Sequence, residues 1–490
     1  MNDVPDSIEK NKLQLAHYHR FVLEGRAYTV DIDRFRCHPL DDRMAAFLTA
    51  WESDPYLQPE DYVQKALVET GLLAKDPGKP YLDEASRLER DSRAAARWLD
   101  SPAARTDTLC LMVAQECNMA CIYCYGIEGT YGGGGMMTEE TARRSVDWLI
   151  RHSGDNIELH LSFFGGEPML NLPVIHSTVA YAKRVGEQQG KTIHFGITTN
   201  ASLVDEAVID FLRDNEFRVQ ISFDGPPGIQ DRQRPFKDGS PSYAVVAPKV
   251  RQLLSVFPQA GGRATLYGET EPGEVLSALK KMGFQTCHMV PASGCLLTDA
   301  PSEDVLYRRE HERAFDLRKQ AASLVAAVKR CDPVEAAQVL KDRELSQITH
   351  TRKGPYTARQ MFFCGAGRTY LAVDVDGSLY PCHRFVGMQD YRLGSINGEV
   401  DPPRGQFHES TVIKSEECRQ CWLKYVCGGG CVYSNIAATG RPIQPDPAFC
   451  RQYKETMETV LDAAAQLSDE DREFLYENNV VARPPCPLDF

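Results

Sequence analysis

Three cysteines stand within eight residues, in the run Cys117-Asn118-Met119-Ala120-Cys121-Ile122-Tyr123-Cys124. Thiolates at this C-x3-C-x2-C spacing on a tight loop can hold three irons of a [4Fe–4S] cube, leaving the fourth iron open to a ligand that is not protein. A structural zinc site wants a fourth ligand close by, as in paired C-x2-C knuckles, and no Cys or His follows until His152. A buried cysteine cluster or a zinc loop is the alternative. A second array lies downstream: Cys364, Cys382, then Cys418-x2-Cys421-x5-Cys427-x3-Cys431, and finally Cys450. Seven thiolates on short loops suffice for two further clusters; a pair of zinc knuckles is the alternative. The remaining cysteines, Cys37, Cys110, Cys287, Cys295, Cys331 and Cys486, are scattered, and most read as small buried hydrophobes.

Composition bounds what surrounds these thiols. A chain of 490 residues has room for about three domains. Hydrophobic content of 42% with 25% charged residues is that of a soluble globular protein. No apolar run reaches the roughly 18 residues that a membrane helix requires, so no membrane partner is expected. The polar, acidic start Met1-Asn2-Asp3-Val4-Pro5-Asp6 is not a signal peptide, and a cytoplasmic location is expected. There, clustered cysteines read as metal ligands before disulfides. A net charge of −13 argues against nucleic acid as a partner.

The elements that must position the first loop alternate. Strand-like runs recur at 109–113, 158–164, 192–198, 218–223, 263–267 and 287–291, with helical patterns between them. Six βα units imply a parallel sheet with helices outside, an α/β fold. Ligands in such sheets sit at the C-terminal ends of the strands, and the three-cysteine loop follows the first strand. Gly165-Gly166-Glu167-Pro168 ends the second strand, where two glycines let backbone approach a ligand closely. Thr199 and Asn200 end the third strand; Ser222 and Asp224 end the fourth. These read either as ligand contacts or as satisfied turn residues and helix caps. Asp231-Arg232-Gln233-Arg234 reads as a salt-bridged loop or one that grips a peptide. Tyr131 and the four glycines after it read as a mobile insertion that closes on substrate, or as a spacer. Ahead of the sheet, 17–24 and 26–36 read as two strands, followed by helices, in the manner of a small winged-helix module. Asp376-Gly377 marks a hairpin turn between strands at 370–375 and 379–382.

The loop spacing, with an aromatic before its last cysteine, resembles the radical S-adenosylmethionine (SAM) superfamily. The resemblance implies a partial (βα)6 barrel, SAM chelated by the open iron of a cluster on Cys117, Cys121 and Cys124, and reductive cleavage of SAM to a 5′-deoxyadenosyl radical. It also implies SAM contacts from Gly165, Gly166, Glu167 and Pro168, with Glu167's segment at the SAM amino group, and from Thr199, Asn200, Ser222 and Asp224. The second array resembles the SPASM domain. That pattern gives Cys418, Cys421, Cys427 and Cys450 to one auxiliary cluster and Cys364, Cys382 and Cys431 to the other, for three iron–sulfur clusters of the 4Fe–4S type in all. Enzymes with a fully ligated inner cluster carry an extra cysteine shortly before the Cys364 position. Tyr356 to Phe363 holds none, so the inner cluster is expected to keep an open iron, offered to a substrate thiolate, or to take another ligand. Sulfatase maturases place an Asp base after the cysteine matching Cys382; here His383 stands there, as a proton acceptor or a hydrogen-bonded loop residue. The 379–394 segment and Cys421-Trp422 resemble the thioether-forming maturases of SCIFF peptides and of quinohemoprotein amine dehydrogenase.

The expected architecture is a leader-peptide recognition module over 1–85, or a structural cap on the barrel, and a linker over 86–104. The barrel follows over 105–300, a helical bridge over 301–360, the SPASM domain over 361–450, and a helix and tail over 451–490. The resemblance implies a peptide or small protein subunit as substrate and an external electron donor such as flavodoxin or ferredoxin. The expected reaction is an intrapeptide thioether between a Cys sulfur and an unactivated carbon, of Asp or Glu in the quinohemoprotein case. The alternatives are a carbon–carbon or oxidative maturase using the same clusters, and, from another class, a non-catalytic Fe–S or zinc scaffold.

Overall fold

The computed structural model describes residues 13–75, 81–292, 303–340, 345, 360–398, 407 and 410–480. Cys295, Cys486, the N-terminal hexapeptide, most of the stretch before Phe363 and the Pro-rich tail lie outside the described residues.

The N-terminal region has three antiparallel strands rather than two: β1 (Tyr18–Leu23), β2 (Arg26–Asp31) and β3 (Arg36–Leu40), in that order. The single strand expected over 26–36 is broken by a turn. Asp31 Oδ1 accepts the N–H groups of Asp33 at 3.0 Å and Arg34 at 3.1 Å, and Phe35 takes φ +50°. Three helices follow: α1 (Asp42–Ser53), capped by Asp41, α2 (Asp61–Glu69) and α3 (Glu84–Leu99), capped by Asp83. Phe21, Tyr28 and Val30 share a core with residues near the C-terminus. Tyr28 Oη donates to Asp462, Arg26 pairs with the same carboxylate at 2.9 Å, and the His19 ring stacks on Trp422 with centroids 4.7 Å apart.

Six parallel strands form the central sheet: β4 (Thr108–Gln115), β6 (Glu158–Gly165), β7 (Thr192–Thr199), β8 (Arg218–Ser222), β9 (Gly261–Leu266) and β10 (Thr286–Pro291). They lie side by side in chain order, as βα units joined by right-handed crossovers do. The crossovers are α4 (Glu139–His152), α5 (Leu172–Gln188), α6 (Glu206–Asp214), α7 (Pro227–Gln233), α8 (Tyr243–Val256) and α9 (Pro272–Met282). The short α7 was not expected; it takes up the Asp231-Arg232-Gln233 segment read as a loop. Side chains alternate along each strand. Leu161, Phe163, Phe195, Ile197, Val219, Ile221 and Ala264 are buried, while Ser162, Phe164, Thr198, Ser222, Arg263 and Thr265 are only half-buried on the other face.

Beyond β4 the same sheet continues. β11 (Tyr370–Val373) runs parallel to β4, Tyr370 opposite Thr108, and the hairpin partner β12 (Ser378–Tyr380) and then β13 (Gly394–Ser395) extend it. The bridge helices α10 (Glu303–Lys329) and α11 (Pro333–Val339) precede these strands. After them come α12 (Glu416–Gln420), α13 (Lys424–Cys427), α14 (Val432–Thr439), α15 (Pro447–Ala465) and α16 (Asp469–Glu477). Leu324 and Val328 of α10 and Val460 and Leu461 of α15 belong to one buried cluster. Among the described residues no helix is long and apolar enough to cross a membrane.

The glycine-rich stretch is tied at both ends. Tyr131 is buried and donates its hydroxyl to the Gly165 carbonyl at 3.2 Å, and Gly135–Met136 (β5) pairs with the end of β4. Gly387, at φ +85°, lies against it so closely that a Cβ there would meet the Tyr131 carbonyl oxygen at 2.0 Å. Gly387→Ala is therefore expected to cost about 2 kcal/mol or more, from left-handed strain plus a backbone clash. Gly25→Ala, at φ +78° with open space around it, should cost only about 1 kcal/mol. Thermal unfolding of the two variants checks the difference.

Candidate active site

The Cys117–Cys124 loop springs from the C-terminal end of β4 and is gripped by the segment after α7. Ala120 N–H donates to the Pro235 carbonyl at 2.9 Å, Ile122 N–H to Gln233 at 3.1 Å, and Lys237 N–H to Asn118 at 3.1 Å. Asp224 anchors the same assembly. Its Oδ1 accepts Thr265 N–H at 2.9 Å, and its Oδ2 accepts the Tyr123 hydroxyl and Gln233 Nε2 at 2.8 Å, with Arg234 Nε 3.1 Å away. The Arg234 guanidinium also sits over the Tyr123 ring, 5.3 Å from its centroid. Asp224 is thus a brace for the loop, its oxygens committed to protein. The aromatic that precedes Cys124 is the contact that makes the brace work.

Donors point at the loop sulfurs. Met119 N–H lies 3.4 Å and Asn200 Nδ2 3.8 Å from Cys117 Sγ, and Arg234 Nη1 lies 3.9 Å from Cys121 Sγ. Such donors favour the thiolate. Burial works the other way and pushes the Cys117 thiol up to about 11 and that of Cys121 to about 12, so a metal binding there displaces protons. The floor beside Cys117 is bare backbone. A Cβ on Gly166 would meet the Glu116 carbonyl oxygen at 2.2 Å, and one on Gly129 would meet Cys117 Cβ at 2.7 Å. Closely set thiols, N–H groups aimed at sulfur and a floor without side chains fit an anionic iron–sulfur cluster.

Glu167 is fully buried at the adjacent strand end. Its Oε1 accepts Thr199 Oγ1 at 2.8 Å and Met169 N–H at 3.1 Å, and its Oε2 accepts Asn200 N–H at 2.7 Å. Burial outweighs these donors and pushes the carboxyl up to about 7. Pro168 starts the short turn Pro168–Asn171, and Gly165 takes φ +142°. Asn200 Nδ2 also reaches Asn118 Oδ1 at 3.0 Å, tying the end of β7 to the cysteine loop. Ser222 is half-buried at the end of β8. The structure therefore gathers Gly165, Gly166, Glu167, Thr199 and Asn200 round Cys117, with Asp224 below the loop.

The downstream thiols fall into two groups. Cys418, Cys427 and Cys450 each feel the charge of Cys421 and of others in the set; burial leads in raising Cys418 to about 12 and Cys427 to about 11. Cys364 and Cys431 share a hydrogen bond that pushes Cys431 down and Cys364 up, and Cys382, raised to about 12 mainly by burial, feels Cys431 as well. Among the described residues no three His, Cys, Asp or Glu side chains are drawn round a single metal ion.

Between the first loop and the second group lies His383, singled out in the sequence, with neighbours that were not. His383 Nδ1 is 2.8 Å from Tyr370 Oη, and its ring packs 4.7 Å from Phe164. Burial, then Arg384 and Arg263, push the imidazole down to about 3, so it is neutral. Arg263, on the half-buried face of β9, has its pKa lowered by burial first; Tyr125 opposes, and Arg384 and Arg234 add to the lowering. The Arg384 guanidinium lies 3.9 Å from the Tyr433 ring centroid and 5.3 Å from that of Tyr125. Arg263 had one legible signal: a lone charge within a strand otherwise made of small and apolar residues.

Residues 111–289, which hold the parallel sheet and the three-thiol loop at its C-terminal edge, match the description "Radical SAM superfamily". That superfamily binds SAM and a 4Fe–4S cluster. The chain is 35% identical over 134 residues to an uncharacterised protein of Methanocaldococcus jannaschii, covering 27% of this chain and 44% of that protein's length. It is 22% identical over 359 residues to the cysteine-type anaerobic sulfatase-maturating enzyme of Clostridium perfringens, covering 70% of this chain and 92% of the relative. The serine-type enzyme of Bacteroides thetaiotaomicron is 29% identical over 350 residues, covering 67% and 82%. The solved structure of native anSMEcpe with bound AdoMet superposes with a TM-score of 0.56 at 19% identity, covering 73% of this chain and 98% of that one, which establishes the shared fold.

Proposed function

We propose that this chain is a radical SAM maturase that joins a cysteine sulfur of a peptide or small protein subunit to an unactivated carbon of an acceptor residue, Asp or Glu. Arg263 carries the reading. It is a half-buried guanidinium inside the barrel, close to Arg384, with no ion pair among the described residues. An acidic side chain entering there gains a charge-assisted partner and relieves the repulsion between two cations. The peptide-maturing relatives over most of the chain's length support the substrate class. The N-terminal sheet offers β1 and β3 as edges to which a leader segment can add as a strand.

Cys117, Cys121 and Cys124 would hold the cluster that, with SAM, supplies a 5′-deoxyadenosyl radical able to take a hydrogen atom from carbon. Making one S–C bond from an S–H and a C–H releases two protons and two electrons overall. One proton and one electron would leave together as the hydrogen atom given up to the SAM-derived radical; the other electron would need an acceptor beside the substrate. Cys418, Cys421, Cys427 and Cys450, and Cys364, Cys382 and Cys431, would hold clusters of the SPASM type that provide one. The first reducing electron comes from an external donor such as flavodoxin or ferredoxin. Tyr370 orients His383, whose neutral ring packs between the two groups of thiols as a hydrogen-bonded wall residue. Asp224 and Arg234 keep the cysteine loop in place, and Tyr131 walls off the end of β6.

The test is a reconstituted enzyme given a peptide bearing one Cys and one Asp or Glu. The expected product is lighter by two hydrogen atoms, and its Cys no longer reacts with iodoacetamide. Replacing the acidic residue by Ala should abolish it. The likeness to sulfatase-maturating enzymes favours a second reading, oxidation of the peptide without a cross-link. A product that has instead lost its sulfur and gained a carbonyl oxygen, a larger loss of mass with no thioether, would select that reading and overturn the first.

A further inference from the structure

A cavity of about 280 Å³ has no residue of the six parallel strands in its lining. It opens where three parts of the chain meet: His17 ahead of β1, the start of α3, and the segment from Ile413 to Lys424 that carries α12. Its walls carry three basic side chains, Arg87, Arg419 and Lys424, against two carboxylates, Glu84 and Asp91. Asp91 is already engaged, accepting Arg90 Nε at 3.0 Å and the Tyr425 hydroxyl. Lys424 is itself buried, with 7% of its surface exposed, and spends one of its three protons on the Arg419 carbonyl at 2.9 Å.

Two nitrogens here are buried without any hydrogen-bond partner: His17 Nδ1 and Arg419 Nε. A buried donor left unpaired costs about 1–3 kcal/mol, and native interiors leave few of them. Two on residues that line one cavity, with three cations around it, describe a site built for a group that accepts hydrogen bonds and carries negative charge. The surroundings agree: after burial, Arg87 and Lys424 are the largest causes that hold the His17 imidazole down, to about 4, against Asp33, as expected where positive charge is in excess. The rest of the protein does not draw anions, since its net charge is −13. Any attraction must come from these few side chains at short range.

We propose that this cavity binds an oxyanion, a carboxylate or a phosphate, held by Arg419 and Arg87 with His17 and Lys424 as further donors. A guanidinium fork suits either anion. Because the ligating groups come from the N-terminal region, α3 and the segment that carries Cys418 and Cys421, the anion ties these three together. Such a site is independent of the proposed reaction.

Isothermal titration of the reconstituted full-length protein tests it, at fixed ionic strength set with chloride. One arm uses inorganic phosphate; the other uses a short peptide with blocked ends and a single Asp, against its Asn counterpart. Saturable binding in either arm, weakened at least tenfold by Arg87→Gln and by Arg419→Gln, is the expected result. Phosphate binding alone identifies a free oxyanion, and Asp-peptide binding without phosphate binding identifies a peptide carboxylate. Arg87 lies on a helix surface, so its variant should fold even if Arg419→Gln does not, and circular dichroism confirms this. No saturable binding in either arm, or equal binding by wild type and Arg87→Gln, overturns the proposal.

Discussion

Replacing Cys117 with alanine is expected to abolish SAM cleavage while leaving a folded, still coloured protein. Cys117 receives two of the N–H contacts aimed at sulfur and rests on the bare backbone of Gly129 and Gly166. No other residue of the loop can take its place on that floor. The loop's own anchors, Tyr123 with Asp224 and Ala120 with Pro235, do not involve the sulfur, so the fold should persist. Iron and sulfide should fall by about four atoms each, one cluster's worth, because the downstream cysteines are untouched. Release of 5′-deoxyadenosine should drop below roughly 1% of wild type, more than about 2.7 kcal/mol of lost transition-state stabilisation. Cys418→Ala makes the contrast: it should lose product yet keep SAM cleavage. If Cys117→Ala kept its full iron content, or went on cleaving SAM, the loop would be no more than a structural staple.

Glu167→Gln should separate the carboxylate's charge from its hydrogen bonds. The wild-type group accepts three donors on two oxygens. An amide keeps one acceptor oxygen and turns N–H groups toward the others, donor against donor, at a cost of about 1–3 kcal/mol. The pH dependence changes as well. In the folded chain without ligand the carboxyl lies near 7, raised from 4.5 by burial. The folded state therefore holds its proton more tightly than the unfolded state does. That contribution to stability is full below about pH 4.5 and is lost as pH rises through about 7, a swing of about 3 kcal/mol. The glutamine variant should show no such fall. A SAM ammonium beside Glu167 would restore a counter-charge, so wild-type affinity for SAM should rise between pH 6 and 8, while the variant binds at least tenfold more weakly with a flat profile. Denaturant unfolding and equilibrium dialysis across that range provide the two measurements; parallel pH profiles in both proteins would remove Glu167 from the SAM site.

What the sequence made legible was local. The C-x3-C-x2-C loop, the Gly-Gly-Glu-Pro strand end and the Asp376-Gly377 hairpin each act within a few residues, so spacing and turn chemistry suffice to read them. The six parallel strands could be placed because buried strands are apolar runs bounded by turn signals. The third N-terminal strand was hidden, because the turn at Asp33–Phe35 depends on the Asp31 side chain folding back on its own backbone and leaves no break in the alternating pattern. The pairing of Tyr370 with Thr108 joins strands about 260 residues apart in a register that neither sequence encodes alone. The anchoring of Tyr131 ahead of its glycines was hidden for the same reason. What pins Tyr131 is the Gly165 carbonyl and the backbone near Gly387, and both are distant in the chain.

That shared sheet bears on how the protein can be dissected. The hydrogen bonds between β4 and β11 leave no seam between the SAM-binding half and the cysteine-rich half, so cutting the chain ahead of residue 360 would strip a buried central strand of its neighbour. The stump would display a bare, apolar ribbon edge and tend to aggregate. Swapping cysteine-rich tails between relatives would then succeed only if the graft carried its own first hairpin in matching register, which makes that hairpin, and not the preceding helical bridge, the proper junction for chimeras.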